Sequence, residues 1–442
     1  MAMVEQIDLT KEEVRGPRNL SRLLKQSLDS SHLELLRTVS AAASSQGIDI
    51  YVVGGFVRDL LLESVSVDYD LVVEGDAIKL GRMLTKNNGG SLTVHRRFGT
   101  AKWYLSAKLK SETGVSDLDL VSARTESYER PTALPEVKHG TINLDLHRRD
   151  FSVNTLAISL QSHDFGDLLD PWGGLKDIEE KCLRVLHSQS FVDDPTRVLR
   201  AVRLEQRLGF RLEDHTAELM DSALPLVDRV SGDRIWHEIE KTFGEESPET
   251  ILARLDEIGV TGVLHSALSD QVDSWLVERF KDARERISRE TLPVIYFALW
   301  LYRMRWKDIK AVSRRLKVTS VIMRVLQQTE RVRGEIHVLK ELSKPSEVAR
   351  VLDGISKVTL LVIGLAEDES VSENIRRYDD KYRHVKPTFS GLELQERGVS
   401  HGPRIGAILR RVRSAWLDGD ISDTTEEEEL VQELLIEKRQ RS

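Results

Sequence analysis

The sequence predicts an α+β protein in which a mixed β-sheet with helices comes first and an all-helical remainder follows. Between residues 48 and 162, short β-branched runs alternate with turn residues and one or two helical stretches. After Asp177, Leu, Ala, Arg and Glu recur at helical spacing, as at Val198 and Val202. This change in periodicity places the sheet before the helices.

Five runs in the first region have the composition of strands. They cover residues 50–53, 69–73, 91–94, 101–105 and 118–121. Proline and glycine residues, such as Pro248, Pro293 and Pro345, divide the helical region. We predict a polar N-terminal extension over residues 1–30, an α/β module over 31–176, and helical modules over 177–243, 244–335 and 336–442. The acidic run at residues 426–429 is expected to cap or precede a last short helix.

Length and composition restrict the class of protein. The 442 residues are enough for roughly three or four domains. Hydrophobic residues at 40% and charged residues at 31% are close to the averages for soluble proteins, and no apolar run is long enough to cross a bilayer. The first nine residues lack the apolar core of a secretory signal, and the single cysteine, Cys182, excludes an internal disulfide. We therefore expect a cytoplasmic protein with no membrane association.

The formal net charge of -8 argues against a nucleic-acid partner, because phosphate binding usually requires a basic surface. The basic residues are nevertheless clustered, at 96–97, 148–149, 197–211, 303–317 and 410–413. Local positive surfaces therefore remain compatible with the overall charge. A solvated helical face explains any single cluster equally well.

The densest functional signal is a glycine turn followed by paired aspartates. Gly54 and Gly55 follow a predicted strand and precede a predicted helix, a place where backbone N–H groups approach phosphates closely. Asp68 and Asp70 are one residue apart on the next predicted strand, so both carboxylates point to the same side. Two like charges there need a cation.

Paired carboxylates of this kind suit Mg²⁺, which keeps several waters and takes its remaining ligands from substrate phosphates. Asp119, on a later predicted strand, is the candidate for a third carboxylate. Nucleotidyl transfer is the chemistry that such a site supports. An isolated Asp-x-Asp pair is more often a solvated edge-strand feature, but the neighbouring glycine turn favours the catalytic interpretation.

The pattern Gly54-Gly55-x-x-Arg58-Asp59 with Asp68-x-Asp70 resembles the head of the polymerase-β-type nucleotidyltransferase superfamily, in its class II tRNA nucleotidyltransferase branch. The resemblance extends from about residue 48 to residue 420. It implies a catalytic head over 31–176, a neck, a body and a tRNA-binding tail. It also implies addition of CCA from CTP and ATP to the 3′ end of tRNA, with Asp68 and Asp70 holding Mg²⁺.

Further motifs agree with this family in order along the chain. Residues 148–154 resemble its ribose-recognition motif, which implies nucleotide contacts for Arg148, Asp150 and Asn154. Residues 193–197 resemble its base-selecting motif, which implies that Asp194 and Arg197 contact the incoming base. The resemblance adds Gly54, Gly55, Arg58, Arg200 and Arg203 to the nucleotide-binding set.

The pair Asp194 and Arg197 also has a physical logic of its own. One helical turn separates the two residues, so a carboxylate and a guanidinium would face the same direction. Such a pair can satisfy the amino donor and ring acceptor that cytosine and adenine share. An ordinary salt bridge on a helix is the alternative.

Two other segments resemble the family's flexible loop and its tail. Residues 124–137, with Arg124, Glu126 and Tyr128, resemble the flexible loop of members that add the terminal adenosine. Residues 398–406 resemble a tail segment that docks on tRNA, which implies phosphate contacts for Arg404, Arg410 and Arg411. Helix caps explain the tail glycines equally well.

Three alternatives to a CCA-adding enzyme remain open. A bacterial poly(A) polymerase shares the head and neck motifs, and an enzyme that adds only A shares all of them. A catalytically silent RNA-binding protein is expected to have lost a carboxylate, whereas Asp68 and Asp70 are both present. No obligate protein partner is predicted.

Overall fold

The computed structural model describes residues 18–64, 68–127, 136–341 and 344–436. The chain divides into two compact units, Met1–Val230 and Ser231–Ser442. The boundary between the units lies inside the module predicted over residues 177–243. The finer division into head, neck, body and tail remains a prediction.

A seven-stranded sheet forms the centre of the first unit. The strands of this unit, numbered along the chain, are β1 Ile50–Val53, β2 Asp70–Val73, β3 Ser91–His95, β4 Thr100–Tyr104, β5 Asp117–Ser122, β6 Arg124–Ser127, β7 Glu136–His139, β8 Ala157–Ser159, β9 Leu168–Leu169, β10 Cys182–Leu183 and β11 Arg211–Leu212. The five predicted strands are confirmed, each with ends within one residue of the expected positions. The sheet order is β3-β4-β5-β2-β1-β8-β9, and β6 pairs with β7 and β10 with β11 in two small separate sheets.

The strand β2 pairs in parallel with β5, and all the other neighbours in the main sheet are antiparallel. This mixed pairing confirms the predicted sheet type. The strands β8 and β9 add an edge that was not predicted, because runs of three and two residues are too short to show a periodicity.

Helices surround the sheet and complete the first unit. They are α1 Ser21–Ser27, α2 Ser30–Ser44, α3 Gly55–Leu61, α4 Ala77–Asn88, α5 Ala107–Thr113, α6 Ile142–His147, α7 Gly174–Glu179, α8 Ser190–Asp193, α9 Thr196–Leu208 and α10 Asp214–Val227. The side chain of Asp76 caps α4 by accepting hydrogen bonds from the amides of Ile78 and Lys79.

Residues 18–30, which were expected to belong to a polar extension, are folded onto this unit. Asn19 donates to the carbonyl of Phe165 and to Asp167, and Leu24 of α1 is fully buried. The leucine spacing at positions 20, 24 and 28 buries one face of the helix, a periodicity that the polar surroundings concealed.

All the described regular elements of the second unit are helices, as predicted. They are α11 Gly232–Phe243, α12 Pro248–Glu257, α13 Val260–Leu264, α14 Ser274–Arg286, α15 Leu292–Trp300, α16 Trp306–Leu316, α17 Ser320–Gly334, α18 Ile336–Lys340, α19 Pro345–Leu352, α20 Lys357–Ala366, α21 Glu369–Asp380, α22 Gly391–Glu396, α23 Pro403–Asp418 and α24 Thr424–Ile436. Over the described parts of the chain, none of the helices has both the length and the apolar character needed to span a membrane.

The acidic run at residues 426–429 was expected to cap or precede the last helix, but it lies within α24, with Glu426 and Glu427 in the first turn. Glu427 is fully buried and accepts hydrogen bonds from the amide and hydroxyl of Thr388, the amide of Phe389 and the indole of Trp416. Glu428 forms an ion pair with Arg397. Glu427 and Glu428 therefore anchor α24 to residues 388–397 and to Trp416 of α23.

Replacing Glu427 is expected to destabilise the second unit. In Glu427→Ala, the buried donors on Thr388, Phe389 and Trp416 lose their acceptor, which costs about 2–3 kcal/mol of unfolding free energy. Urea unfolding followed by tryptophan fluorescence measures this cost. Glu429→Ala is the matched control, because Glu429 is exposed in the same run. Equal stability of the two variants would contradict the anchoring role.

Candidate functional site

The first unit contains a cavity of about 450 Å³ whose lining is strongly basic. Eight arginines and three aspartates contribute to it. The lining residues are Gly55, Arg58, Asp70, Val72, Val121, Arg124, Arg148, Arg149, Asp150, Asn154, Asp194, Arg197, Arg200, Arg203, Leu204 and Arg207. Most of the residues predicted to bind nucleotide therefore meet in one place, although their parent chain is acidic. A cavity with this balance suits a polyanion such as a triphosphate.

The glycine turn lies at one wall of the cavity. Gly54 joins β1 to α3 with φ at 72°, a left-handed conformation that favours glycine. A Cβ atom at this position would lie 2.6 Å from Nη1 of Arg149. The missing side chain therefore makes room for the Arg149 guanidinium over the turn.

The candidate catalytic carboxylates lie on adjacent strands. Asp70 on β2 is in register with Asp119 on β5, and Asp119 is in register with Lys102 on β4. Neighbouring strands are about 4.8 Å apart, so these three side chains form a row across the sheet. Nζ of Lys102 donates to Asp117 at 2.7 Å and to Asp119 at 2.8 Å.

Asp68 lies just before the strand and not on it, because β2 begins at Asp70. The two exposed aspartates flank the buried Tyr69, so the alternation predicted from the sequence is retained. Asp70 lines the cavity, but burial of its carboxylate by the surrounding protein raises its pKa. The negative charges of Asp68 and Asp119 raise the pKa further, whereas the positive charge of Arg149 lowers it. The site thus concentrates negative charge beside the basic cavity.

Asp68 and Asp70 are the carboxylates present for the predicted Mg²⁺. The described residues contain no group of three or more His, Cys, Asp or Glu side chains placed to hold a metal, and Asp119 is engaged by Lys102. Asp68 and Asp70 still match the donor set that Mg²⁺ uses, since this ion commonly takes one or two carboxylates, waters and substrate phosphates. Burial is the main cause of the raised pKa of Asp70, the charges of Asp68 and Asp119 add to it, and a cation beside Asp70 would favour its ionised form.

Asp150 is the buried centre of the site. Its carboxylate is 2.5 Å from Nη2 of Arg200 and accepts hydrogen bonds from Asn154 at 3.0 Å and from the amide of Phe151 at 2.9 Å. Burial alone would raise its pKa, but Arg200, the Asn154 hydrogen bond and the charge of Arg197 outweigh burial and hold the pKa far below its usual range. Asp150 is therefore ionised at neutral pH.

The same network continues to the helix α3. Nη1 of Arg58 donates to Oδ1 of Asn154 at 2.6 Å, and Nε of Arg58 donates to Asp59 at 2.8 Å. The other oxygen of Asp59 accepts from Arg207 of α9 at 3.1 Å. Arg58 and Asp59 are both buried, so these contacts fix α3 and α9 around the predicted ribose-recognition motif, residues 148–154.

A second buried carboxylate holds the two arginines of that motif. Asp145 of α6 is fully buried and accepts from Nε and Nη2 of Arg148 at 2.9 and 2.8 Å, and from Arg149 at 3.3 Å. Sequence reasoning missed both Asp145 and Arg149. The helical spacing of three and four residues between Asp145 and these arginines was the available signal.

The predicted base-selecting pair does not share a helix. Asp194 follows α8 in an extended conformation, and its Oδ1 accepts from the amide and hydroxyl of Thr196 at 3.0 and 2.6 Å. Arg197, in the first turn of α9, donates to Ser190 at 2.6 Å and to the carbonyl of Arg148 at 2.9 Å. The predicted helical spacing was wrong because Asp194 is a cap residue, although both side chains line the cavity.

The predicted flexible loop is bracketed by a small hairpin. Arg124 opens β6, donates to the carbonyl of Phe98 at 2.7 Å and lines the cavity. Glu126 lies on β6 in register with Val137 of β7. Tyr128 lies outside the described residues.

The predicted tRNA-binding arginines are on α23 of the second unit. Arg410 and Arg411 are exposed, and Arg404 is half-buried. Gly402 caps α23 and Ser390 caps α22 through a capping box with Glu393. The tail glycine therefore starts a helix, and the phosphate contacts of the arginines stay a prediction.

Comparisons with known proteins agree with this geometry. Residues 50–184 match the Poly A polymerase head domain family, and residues 209–271 match the probable RNA and SrmB-binding site of polymerase A. An A-adding tRNA nucleotidyltransferase of Halalkalibacterium halodurans is 30% identical over 426 residues, covering 95% of this chain and 97% of the relative. The chain belongs to the class II tRNA nucleotidyltransferase family.

Other members of the family are similarly close. An A-adding tRNA nucleotidyltransferase of Geobacter sulfurreducens is 31% identical over 429 residues, covering 93% of this chain but 48% of the relative. The chain thus spans about half the length of that relative. A solved apo CCA-adding enzyme is 31% identical with a TM-score of 0.76, covering 95% of this chain and 99% of that one.

Solved family members also include complexes. The Thermotoga maritima CCA-adding enzyme complexed with tRNA is 30% identical with a TM-score of 0.69, covering 95% of this chain and 98% of that one. Structures of a CCA-adding enzyme with ATP and with CTP are 28% and 29% identical, with TM-scores of 0.74 and 0.73, and each covers 95% of this chain and 99% of that one.

Adding a methyl group at Gly54 of this nucleotidyltransferase should affect ligand binding through a clash with Arg149, in addition to the loss of stability that backbone strain causes. The added methyl group in Gly54→Ala meets Arg149 at 2.6 Å, and displacement of this charged side chain should weaken binding of a triphosphate to the cavity roughly tenfold. Gly47→Ala is the control, since its φ is 67° and nothing lies within 4 Å of the added atom. Each variant should lose about 1–2 kcal/mol of stability, and unchanged calorimetric affinity in Gly54→Ala would refute the contact.

The Asp150 network predicts a pH-dependent stability. Asp150→Asn should cost about 2–3 kcal/mol of unfolding free energy at pH 7, discounted because the Arg200 side chain is 37% exposed. The folded-state pKa is depressed, so the contribution is complete above the unfolded value of about 3.9 and is lost as pH falls towards the folded value. Urea unfolding at pH 7, 5 and 3.5 should show a constant cost that shrinks only at the lowest pH. A cost that grows at pH 3.5 would contradict this sign.

Proposed function

We propose that this protein adds CCA to the 3′ end of tRNA, using CTP and ATP and releasing pyrophosphate. The observation that carries the proposal is the position of Asp70, which opens into the cavity that eight arginines line. The cavity thus combines a carboxylate that can hold a metal at the reacting phosphate with a basic surface that can bind the leaving phosphates. That combination serves nucleotidyl transfer and has no use in a purely structural fold.

In this proposal the arginines bind and orient the triphosphate. Arg149 lies over the Gly54 turn and close enough to Asp70 to influence its pKa. Its guanidinium can therefore reach the phosphates next to the reacting one. Asp68 and Asp70 would hold Mg²⁺, which supplies charge neutralisation at the α-phosphate and lowers the pKa of the attacking 3′-hydroxyl. Asp119 is proposed as a supporting carboxylate.

Ribose and base are proposed to bind at the inner end of the cavity. Asp150 is held ionised by Arg200 and Asn154, so it is a hydrogen-bond acceptor for a sugar hydroxyl, and Arg148 lines the same cavity. Asp194 and Arg197 offer an acceptor and a forked donor to the base edge. Ser190 and the Arg148 carbonyl hold Arg197 in place, which gives the base pocket a fixed donor geometry.

Contacts with the RNA are proposed for the tail, and a role in adding the terminal adenosine is proposed for the flexible loop. Arg404, Arg410 and Arg411 on α23 would bind tRNA phosphates in the tail, and the segment around Tyr128 would act during addition of the terminal adenosine. The solved complexes of relatives with tRNA, ATP and CTP support these substrate classes. The protein is proposed to act in the cytoplasm without a partner protein.

Addition of A alone is the second candidate. It is favoured by the curated relatives from Halalkalibacterium halodurans and Geobacter sulfurreducens, which are A-adding tRNA nucleotidyltransferases. Both candidates use the same cavity and the same carboxylates. They differ in whether CTP is accepted as well.

Extension of defined transcripts separates the candidates. Purified protein with Mg²⁺ and labelled CTP and ATP should complete CCA on tRNA transcripts that end before CCA, after C and after CC, as read on a sequencing gel. Extension of the CC-ended transcript alone would select the A-adding candidate, and long A tails would indicate a poly(A) polymerase. Asp70→Asn should lower kcat at least about 10³-fold, since it removes a metal ligand. A folded wild-type protein that extends none of the transcripts would refute the enzymatic function.

A further inference from the structure

The row of side chains beside the cavity contains a cation that the proposed chemistry does not use. Lys102 is on β4, directly in register with Asp119 of β5, which is itself in register with Asp70 of β2. All three side chains therefore project from one line across three strands, on the same face of the sheet. Lys102 thus lies two strands away from the proposed metal ligand Asp70.

The amine of Lys102 contacts two carboxylates. It lies 2.7 Å from Oδ1 of Asp117 and 2.8 Å from Oδ2 of Asp119, and its side chain is 34% exposed. Asp117 and Asp119 are on the same face of β5, two residues apart, so a single lysine can bridge both. The contact partly neutralises Asp119 at the edge of the Asp68 and Asp70 cluster.

We propose that Lys102 is an internal counter-ion that engages Asp119 and thereby lowers the affinity of the carboxylate cluster for a divalent cation. The inference rests on the proposed function, because it assumes that Asp70 is a metal ligand. It assigns to Lys102 a positioning role that acts through Asp119, without contact with the substrate. A divalent cation at Asp70 and the ammonium group of Lys102 then compete for the same local negative charge.

Two physical consequences follow from this role. Without metal, Lys102 relieves the repulsion among Asp68, Asp70 and Asp119, so its removal destabilises the apo protein. With metal, Lys102 is a like charge near a divalent ion, so its removal strengthens metal binding. A lysine that only packed against the sheet would produce the first effect without the second.

Binding of Mn²⁺ to the nucleotide-free protein, followed by electron paramagnetic resonance of the free ion, tests the proposal. Lys102→Met should bind Mn²⁺ roughly three- to tenfold more tightly than the wild type, as expected for one charge removed near a divalent ion in water-like surroundings. Lys102→Arg keeps the charge and should stay near the wild-type affinity. Lys108→Met is the matched control, because it removes the same charge from a side chain that is 82% exposed.

Thermal unfolding gives the second measurement on the same proteins. Lys102→Met should unfold at a lower temperature than the wild type in EDTA and should recover the difference when Mn²⁺ is added. Unchanged or weaker Mn²⁺ binding in Lys102→Met, while Asp70→Asn binds less tightly than the wild type, would overturn this inference alone. An Asp70→Asn protein that binds Mn²⁺ as tightly as the wild type would overturn the proposed metal site and the inference with it.

Discussion

The site depends on one buried ionised carboxylate, Asp150. A carboxylate without partners would be neutral at this depth, because burial disfavours the charged form. Arg200, Asn154 and the amide of Phe151 reverse that preference and keep Asp150 charged. The negative charge of Asp150 offsets the repulsion among the positively charged arginines around it. These arginines can therefore pack close together at the cavity.

The same principle extends outward along the walls of the cavity. Asp59 accepts from Arg58 and Arg207, and Asp145 accepts from Arg148 and Arg149. Each buried acid thus orients two guanidinium groups that also line the cavity. The arrangement explains how a chain of net charge -8 can have a basic cavity. The arginines are concentrated at the cavity, and acidic residues elsewhere on the protein do not cancel their local charge.

The opposite electrostatic problem exists at the carboxylate row. The parallel pairing of β2 with β5 places Asp70 beside Asp119, and Asp68 adds a third negative charge. Sheet register alone would make this arrangement unfavourable. Lys102 bridges to Asp119, and the charges of Lys102 and Arg149 both act to lower the pKa of Asp70. The bridging lysine follows from the strand register of this chain, which pairs Lys102 with Asp119.

The sequence by itself determined the local features of this protein. Alternation of β-branched residues located five strands to within one residue, and the change to helical spacing located the helical remainder, because both periodicities depend on neighbours along the chain. The motifs around Gly54, Asp70 and Asp150 identified the family and most of the cavity lining, because each motif is also a pattern of residues that are close together along the chain. Edge strands of two or three residues carried too little pattern to be found.

Only the tertiary structure decided which charges meet. The helix containing Asp145, the cap conformation of Asp194 and the burial of Glu427 inside an acidic run all depend on what packs against them. The bridge from Lys102 to Asp117 and Asp119 depends on strand register, which no local pattern in those segments specifies. Ionisable side chains acquire their roles from partners distant in sequence, since Coulomb interactions act through space and are strong only where folding excludes water.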